Sequence, residues 1–178
     1  MTSLFARTLG GAALVLMAAT AVTAQESTNQ VAVMTDWSVF SEPKDGKPAE
    51  CWGVSSPKET VNTRDGKPVQ AQRSEILLFV TYRSGNSGRG EVSFTGGYPF
   101  AQGSTVSMDV SGTVFELFTD GEFAWTANAD QDAAIVAAMK RGASAILTAR
   151  SGRGTVTKDT FSLRGFTAAT EDAAKRCS

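Results

Sequence analysis

Apolar and polar residues alternate with a period of two along much of the chain between Trp37 and Leu163. This period is typical of strands with one buried face. Short alternating stretches begin at Trp37 and Cys51, and another covers residues 105–110. The run Ile76-Leu77-Leu78-Phe79-Val80 is continuously apolar, which indicates a strand covered on both faces. The pattern predicts eight or nine short strands.

Turn signals separate these stretches. Ser111-Gly112 and Asp120-Gly121 divide residues 105–126, which predicts a three-stranded meander with tight hairpins. A turn is also expected at residues 43–48, which contain Asp-Gly between two prolines. Residues 55–73 have few apolar side chains, and we expect them to form the longest loop.

Two stretches have helical spacing instead. Asn128 or Asp130 is placed to cap the first helix, and Gly142 is placed to end it. Thr167 is placed to cap a short C-terminal helix. One face of that helix would carry Phe166, Ala169, Ala173 and Cys177. Many strands with one internal and one terminal helix predict a mainly β fold, a β-sandwich.

The N-terminus has the pattern of a secretory signal peptide. Arg7 precedes a short apolar run from Leu9 to Val22, and Val22-Thr23-Ala24 is a suitable cleavage site. The alternative is an uncleaved membrane anchor. We therefore assign residues 1–24 to a signal peptide, 25–35 to a flexible segment and 36–178 to one domain. No membrane span is expected in the mature chain, which should reach the periplasm or the extracellular space.

Export changes the interpretation of the two cysteines. Cys51 and Cys177 are the only cysteines, and they form no Cys-x-x-Cys motif. In an oxidising compartment two such cysteines usually pair. The sequence therefore predicts a disulfide between Cys51 and Cys177.

Composition excludes several kinds of chemistry. The 178 residues include no histidine, so Ser-His-Asp and Cys-His catalysis and histidine-ligated zinc are excluded. With 17 basic and 18 acidic side chains, the chain has no electrostatic signature of nucleic-acid binding.

Two motifs resemble catalytic or metal sites but are incomplete. Residues 128–132 match the start of a calcium loop, but Ala133 and Met139 replace the required Gly and Glu. Ser55 and Lys58 form a Ser-x-x-Lys motif, but Pro57 interrupts it and its companion motifs are absent. We assign no catalytic residue, no metal and no cofactor.

Other features suggest contact surfaces. Ser-Gly-Arg-Gly occurs at residues 87–90 and 151–154, so Arg89 and Arg153 are candidate contacts for an anion or a partner. The alternative is that both motifs are simple exposed bends. The tryptophans either pack in the core or form a contact surface for carbohydrate or protein. They are Trp37, Trp52 and Trp125.

Several segments resemble the invasion-associated locus B family of secreted alphaproteobacterial proteins. They include Pro48-Ala-Glu-Cys51-Trp-Gly-Val, Gly97-Tyr-Pro-Phe-Ala-Gln-Gly103, Val114-Phe-Glu-Leu-Phe-Thr-Asp-Gly121 and Ser151-Gly-Arg-Gly-Thr-Val-Thr-Lys-Asp159. The resemblance implies an immunoglobulin-like β-sandwich with a signal peptide. It also implies an association, in pathogenic members, with entry into host cells, and it supplies no catalytic motif.

These observations favour an exported, non-enzymatic protein that binds a protein partner at the cell envelope or outside the cell, where host-cell interaction is one form of such binding. Its surface loops at 56–73 and 83–90 are the expected contact regions, and it should be a monomer or weak oligomer. One alternative is a periplasmic accessory protein that binds a small ligand or a folding client. A more distant alternative is a hydrolase that uses Ser and Lys or a pair of carboxylates.

Overall fold

The computed structural model describes residues 29–86 and 88–178, so the predicted signal peptide at residues 1–24 lies outside the described residues. The described part contains twelve strands and two helices. The first strands are β1 (Gln30–Met34), β2 (Trp37–Lys44), β3 (Lys47–Ser55), β4 (Glu59–Arg64), β5 (Lys67–Pro68) and β6 (Leu77–Arg83). They are followed by β7 (Glu91–Thr95), β8 (Thr105–Val110), β9 (Thr113–Asp120), β10 (Phe123–Trp125), α1 (Ala129–Arg141), β11 (Ser144–Arg150), β12 (Val156–Ser162) and α2 (Phe166–Arg176).

All twelve strands belong to one antiparallel sheet that folds back on itself as a sandwich. The strand order is β1-β2-β3-β6-β7-β10-β9-β8-β11-β12-β4-β5. Inward side chains of both halves form one core, in which Phe94 of β7 meets Phe161 of β12 edge to face at 6.1 Å. The structure confirms the mainly β sandwich with two helices, and β8, β9 and β10 form the expected meander.

The N-terminal segment differs from its prediction. Residues 25–35 are expected to be flexible, but Gln30–Met34 forms β1, which pairs with β2 along the edge of the sheet. Val31 and Val33 remain exposed, and only Ala32 and Met34 pack against the core. Backbone hydrogen bonds rather than burial therefore define this strand, and they leave little mark on the side-chain pattern.

The predicted loop at 55–73 also differs, because it contains β4 and β5. Asp65 and Gly66 join these strands with φ angles of 51° and 73°. Asp45 and Gly46 join β2 to β3 in the same way, with 53° and 77°. Positive φ at both central residues defines the tight hairpin turn that Asp-Gly favours. The turn expected at 43–48 is therefore only two residues long.

Both helices begin and end close to their expected positions. The Asn128 side chain caps α1 by accepting from the Gln131 N–H at 3.0 Å, and Gly142 ends it. Helix α2 follows Gly165 instead of being capped by Thr167. Gly165 has φ 89°, and a Cβ there would lie 1.7 Å from the Met34 carbonyl oxygen, so only glycine fits. Neither helix is both long and apolar enough to cross a membrane.

The disulfide fastens α2 to the sheet. Cys51 of β3 and Cys177 at the end of α2 are bonded, with Cα atoms 5.9 Å apart, and both are buried. Trp37 and Phe166 pack edge to face beside them at 4.9 Å. The predicted pairing and the predicted inward face of α2 are thus both present.

Asp132 ties α1 to the end of β10. Its Oδ1 accepts from the Val92 backbone N–H and from the Thr126 hydroxyl, each at 2.8 Å. Burial raises the pKa of this carboxyl, while the two hydrogen bonds oppose that change.

We expect Asp132→Ala to lower the free energy of unfolding by about 1–3 kcal/mol, because it leaves the buried Val92 N–H without a partner. Asp132→Asn keeps an acceptor oxygen and should cost less. Since the folded state holds the Asp132 proton more tightly than the unfolded chain, wild type should gain stability relative to Asp132→Asn as the pH falls through the raised pKa. Urea unfolding of the three proteins at several pH values measures this, and parallel pH profiles for wild type and Asp132→Asn would contradict it.

Candidate functional site

The outward surface of the central strands carries apolar side chains that are largely unburied. We call this surface the outer aromatic face. It consists of Phe40, Trp52, Val54, Leu77, Phe79, Phe118, Phe123 and Trp125. Phe118 and Phe123 are 49% and 41% exposed, and the other six side chains are half-buried.

Strand register places these side chains in one row. Val54 pairs with Phe79, Phe79 with Ser93, Ser93 with Trp125, and Trp125 with Phe118. Because directly paired residues project from the same face, the row crosses β3, β6, β7, β10 and β9 without interruption. At the spacing of neighbouring strands, four intervals give a length of about 19 Å.

Aromatic contacts extend the row at both ends. The rings of Phe40 and Trp52 stack with centroids 5.6 Å apart and planes 6° from parallel. Those of Phe123 and Trp125 lie 5.8 Å apart. The outer aromatic face is therefore a contiguous, mainly apolar surface on the outer side of the sheet, and its members on β2, β3 and β6 line a cavity of about 730 Å³.

The structure separates the three tryptophans. Trp37 is fully buried and donates from Nε1 to the Ser162 carbonyl at 2.9 Å, whereas Trp52 and Trp125 belong to the outer aromatic face. The structure also corrects the interpretation of the apolar run at residues 76–80. Its outward members Leu77 and Phe79 are only half-buried, so the prediction of a strand covered on both faces is wrong. A contact surface can give the same sequence pattern as a second covering layer.

A second candidate site is a polar cavity of about 510 Å³, which we call the arginine cavity. It lies between the connection from β5 to β6, the turn before Phe100 and the turn from β11 to β12. The residues that define it here are Arg64, Arg73, Tyr98, Arg153, Thr155 and Thr157.

Arg73 forms the inner wall of this cavity through an ion pair with Asp159, which lies 86 positions away in the sequence. Its guanidinium donates to both oxygens of Asp159, at 2.7 and 2.6 Å, and its Nε donates to the Gly96 carbonyl at 2.8 Å. The Arg73 side chain is 5% exposed and that of Asp159 is 0% exposed. The guanidinium also lies 5.1 Å from the centre of the Tyr98 ring.

The Asp159 carboxyl is in a strongly perturbed environment. Burial raises its pKa, and the hydrogen bonds and charge of Arg73 act in the opposite direction. The strand alternation gives a signal for this site. Thr157 and Asp159 lie four and two residues before Phe161, so all three side chains project to the buried face of β12.

The two candidate anion contacts lie in different places. Arg153 lines the arginine cavity. Arg89 lines two cavities beside α1. The first is also lined by Glu91 and Asp132, and the second by Asp130 and Glu171. The two Ser-Gly-Arg-Gly motifs therefore do not form one site. Arg89 shares its second cavity with Lys140, which pairs with Glu171, whereas Arg153 shares the arginine cavity with Arg64 and Arg73.

Ser55 and Lys58 share a cavity of about 730 Å³ but not a catalytic arrangement. The Ser55 hydroxyl donates to the Asp36 carbonyl at 2.7 Å, and the Lys58 ammonium lies 2.7 Å from the Asp36 carboxylate. Lys58 holds the pKa of the Asp36 carboxyl below its ordinary value. The serine hydroxyl is thus directed at a backbone carbonyl and not at Lys58, so the two side chains do not form a nucleophile–base pair.

Acidic side chains do not gather into a metal site in the described ranges, where no three His, Cys, Asp or Glu residues cluster suitably. In the calcium-like stretch, Asn128 caps α1 and Asp132 binds Val92. Their oxygens thus already have structural partners.

The fold defines a disulfide-linked antiparallel β-sandwich closed by two helices. The family model described as invasion associated locus B (IalB) protein matches residues 37–174, and the chain belongs to this family. This confirms the resemblance seen in the sequence.

A solved structure has the same fold. It is the crystal structure of invasion associated protein b from Bartonella henselae, with a TM-score of 0.55 and 16% sequence identity. The match covers 81% of this chain and 95% of that chain. No curated protein sequence matches this chain.

Proposed function

We propose that this chain is an exported, non-enzymatic protein that binds a protein partner through its outer aromatic face. The observation that carries the proposal is the row from Val54 to Phe118, whose aromatic side chains remain accessible beside a fully packed core. Contiguous exposed apolar surfaces of this kind mark interaction sites in soluble proteins.

Residue type and placement both support protein binding. Trp and Phe are enriched at protein interfaces, where they bury much apolar area with few rotatable bonds. The surface lies on hydrogen-bonded strands rather than on flexible loops, so its side chains lose little conformational freedom on binding. The segments at 56–73 and 83–90, which the sequence suggests as contact regions, then serve as flanking regions instead of the main contact.

Export is the second part of the proposal. The signal-peptide pattern of residues 1–24 would direct the chain out of the cytoplasm. The Cys51–Cys177 bond is the kind of link that persists in an oxidising compartment. The solved relative is named as invasion associated, which supports a partner on a host surface as well as one at the bacterial envelope.

A periplasmic accessory role is the second candidate function. The arginine cavity favours it, because its volume of about 510 Å³ falls within the range of small-molecule sites. In that case the protein would need no host contact, and it would stay in the periplasm.

Photo-crosslinking in the native cell tests the main proposal. A photoreactive residue at Phe79 or Trp125 should give one specific adduct, whereas the same residue at Val156 should not. Val156 is a matched control because it is 40% exposed and lies on β12, outside the outer aromatic face. Separating periplasm from medium before mass spectrometry locates the adduct.

A double substitution in the outer aromatic face makes the same test sharper. Trp52→Thr with Trp125→Thr keeps residues that favour strands but removes the rings, so it should reduce adduct formation at position 79 by tenfold or more. Thermal unfolding should change little, since both side chains are partly exposed. Equal crosslinking at positions 79 and 156, or an adduct that survives the double substitution, would contradict the proposal.

A further inference from the structure

The arginine cavity carries more positive than negative charge among the side chains that line it. Arg73 is paired with Asp159, but neither Arg64 nor Arg153 lies within ion-pair distance of an acidic group in the described ranges. Glu122 is the one acidic side chain among the lining residues. Two guanidinium groups against one carboxylate leave a net positive cavity.

The cavity also presents hydroxyl donors. Thr155 is 4% exposed and accepts from the Arg64 guanidinium at 2.7 Å, so its own hydrogen is free to donate. Tyr98 and the fully buried Thr157 share one hydrogen bond between their hydroxyls. One of these two hydroxyl hydrogens is therefore also available, because a single bond uses only one.

The turn that carries Arg153 is held in place. The Gly152 N–H donates to the Pro99 carbonyl at 2.9 Å, and the Gly154 N–H donates to the Ser151 carbonyl at 2.8 Å. The Thr155 N–H donates to the buried Ser151 hydroxyl at 3.1 Å. The backbone beneath Arg153 is thus preorganised, which reduces the entropy lost when its side chain binds a ligand.

We propose that the arginine cavity binds a small molecule through an oxyanion, either a phosphate or a carboxylate group. Arg64 and Arg153 donate to the oxyanion, since the planar guanidinium suits two parallel hydrogen bonds to such groups. The Thr155 hydroxyl is the third donor, and the Arg73–Asp159 pair holds the inner wall. The cavity is larger than one oxyanion, so the rest of the ligand lies along Tyr98. This site does not depend on the outer aromatic face.

Binding of inorganic phosphate and of succinate to the full mature protein, with ionic strength matched by sodium chloride, tests this site. Calorimetry should show saturable binding of at least one of the two probes. Arg64→Gln with Arg153→Gln should weaken that binding by tenfold or more, because two charge-assisted contacts are lost. Arg89→Gln is the matched control, since it removes the arginine of the other Ser-Gly-Arg-Gly motif, and it should leave the affinity unchanged.

The two probes distinguish the sources of the oxyanion. Binding of phosphate alone identifies a phosphorylated ligand, and binding of succinate alone identifies a carboxylated one. Amide shifts in wild type should centre on residues 64 and 151–155, which provides a test even where a variant folds poorly. The proposal is overturned by an absence of saturable binding for both probes, by shifts centred on residues 88–90, or by equal losses in Arg89→Gln.

Discussion

Arg73→Ala is expected to lower the free energy of unfolding by about 3–5 kcal/mol, because it leaves a buried carboxylate without its partner. Asp159 is 0% exposed, and Arg73 supplies the hydrogen bonds to both of its oxygens. The Gly96 carbonyl loses its donor as well. Denaturant unfolding monitored by tryptophan fluorescence measures the loss at neutral pH.

The size of this loss should depend on pH. Without Arg73, the pKa of Asp159 rises further above its unfolded value, so the folded variant takes up a proton more readily than the unfolded chain. The deficit relative to wild type should therefore shrink as the pH falls through that raised pKa. If the stability difference between Arg73→Ala and wild type did not change across this pH range, the buried Asp159 carboxylate would not be its cause.

A double substitution separates the buried charge from simple loss of packing. Arg73→Met with Asp159→Leu removes both charges and keeps most of the volume, so it should recover much of the stability lost in Arg73→Ala. Arg73→Lys keeps the charge but not the paired geometry, and it should fall between wild type and Arg73→Ala. A double variant no more stable than Arg73→Ala would show that packing, not charge, dominates this site.

Cys51→Ser with Cys177→Ser is expected to lower the free energy of unfolding by about 2–5 kcal/mol. The bond links residues 126 apart in the sequence, so its removal greatly enlarges the conformational freedom of the unfolded chain. The loss should be uneven, because α2 is held to β3 by this link. Hydrogen exchange of residues 166–176 should accelerate more than that of the core strand β7.

Reduced wild-type protein is the control for this variant, since reduction breaks the same link without changing the sequence. Its stability should match that of the double variant. Intact mass after non-reducing purification should show two hydrogens fewer than the thiol form. Two free thiols in the exported protein, or a double variant as stable as wild type, would contradict the prediction.

Local patterns predicted much of the fold correctly. Period-two alternation marked the meander of β8, β9 and β10, and Asp-Gly and Ser-Gly pairs marked the hairpins. Asn128 and Gly142 marked the bounds of α1. These features are readable because each depends on residues close together in the chain. Strands β1, β4 and β5, at the two ends of the sheet, were missed, because their pairing uses backbone groups that every residue has.

Functional surfaces were harder to predict. The alternation of side chains along a strand does not reveal whether an apolar residue such as Phe79 contacts another layer of the protein or the solvent. The Arg73–Asp159 pair joins positions 86 apart in sequence, and Arg64 meets Thr155, 91 positions away, only through the fold. Such sites depend on which strands become neighbours, and neither composition nor spacing records that.

The amino-acid order was enough to specify the strand periodicity, the hairpin turns, both helices, the cysteine pairing and the family, because each is encoded by local pattern or by a simple count. The folded sheet was needed to align Val54, Phe79, Trp125 and Phe118 in one accessible row. It was also needed to bring Arg64 and Arg153 to the same cavity and to bury Asp159 against Arg73. These arrangements arise from strand register and long-range packing. Both depend on contacts between residues far apart in the sequence, so no local segment specifies them.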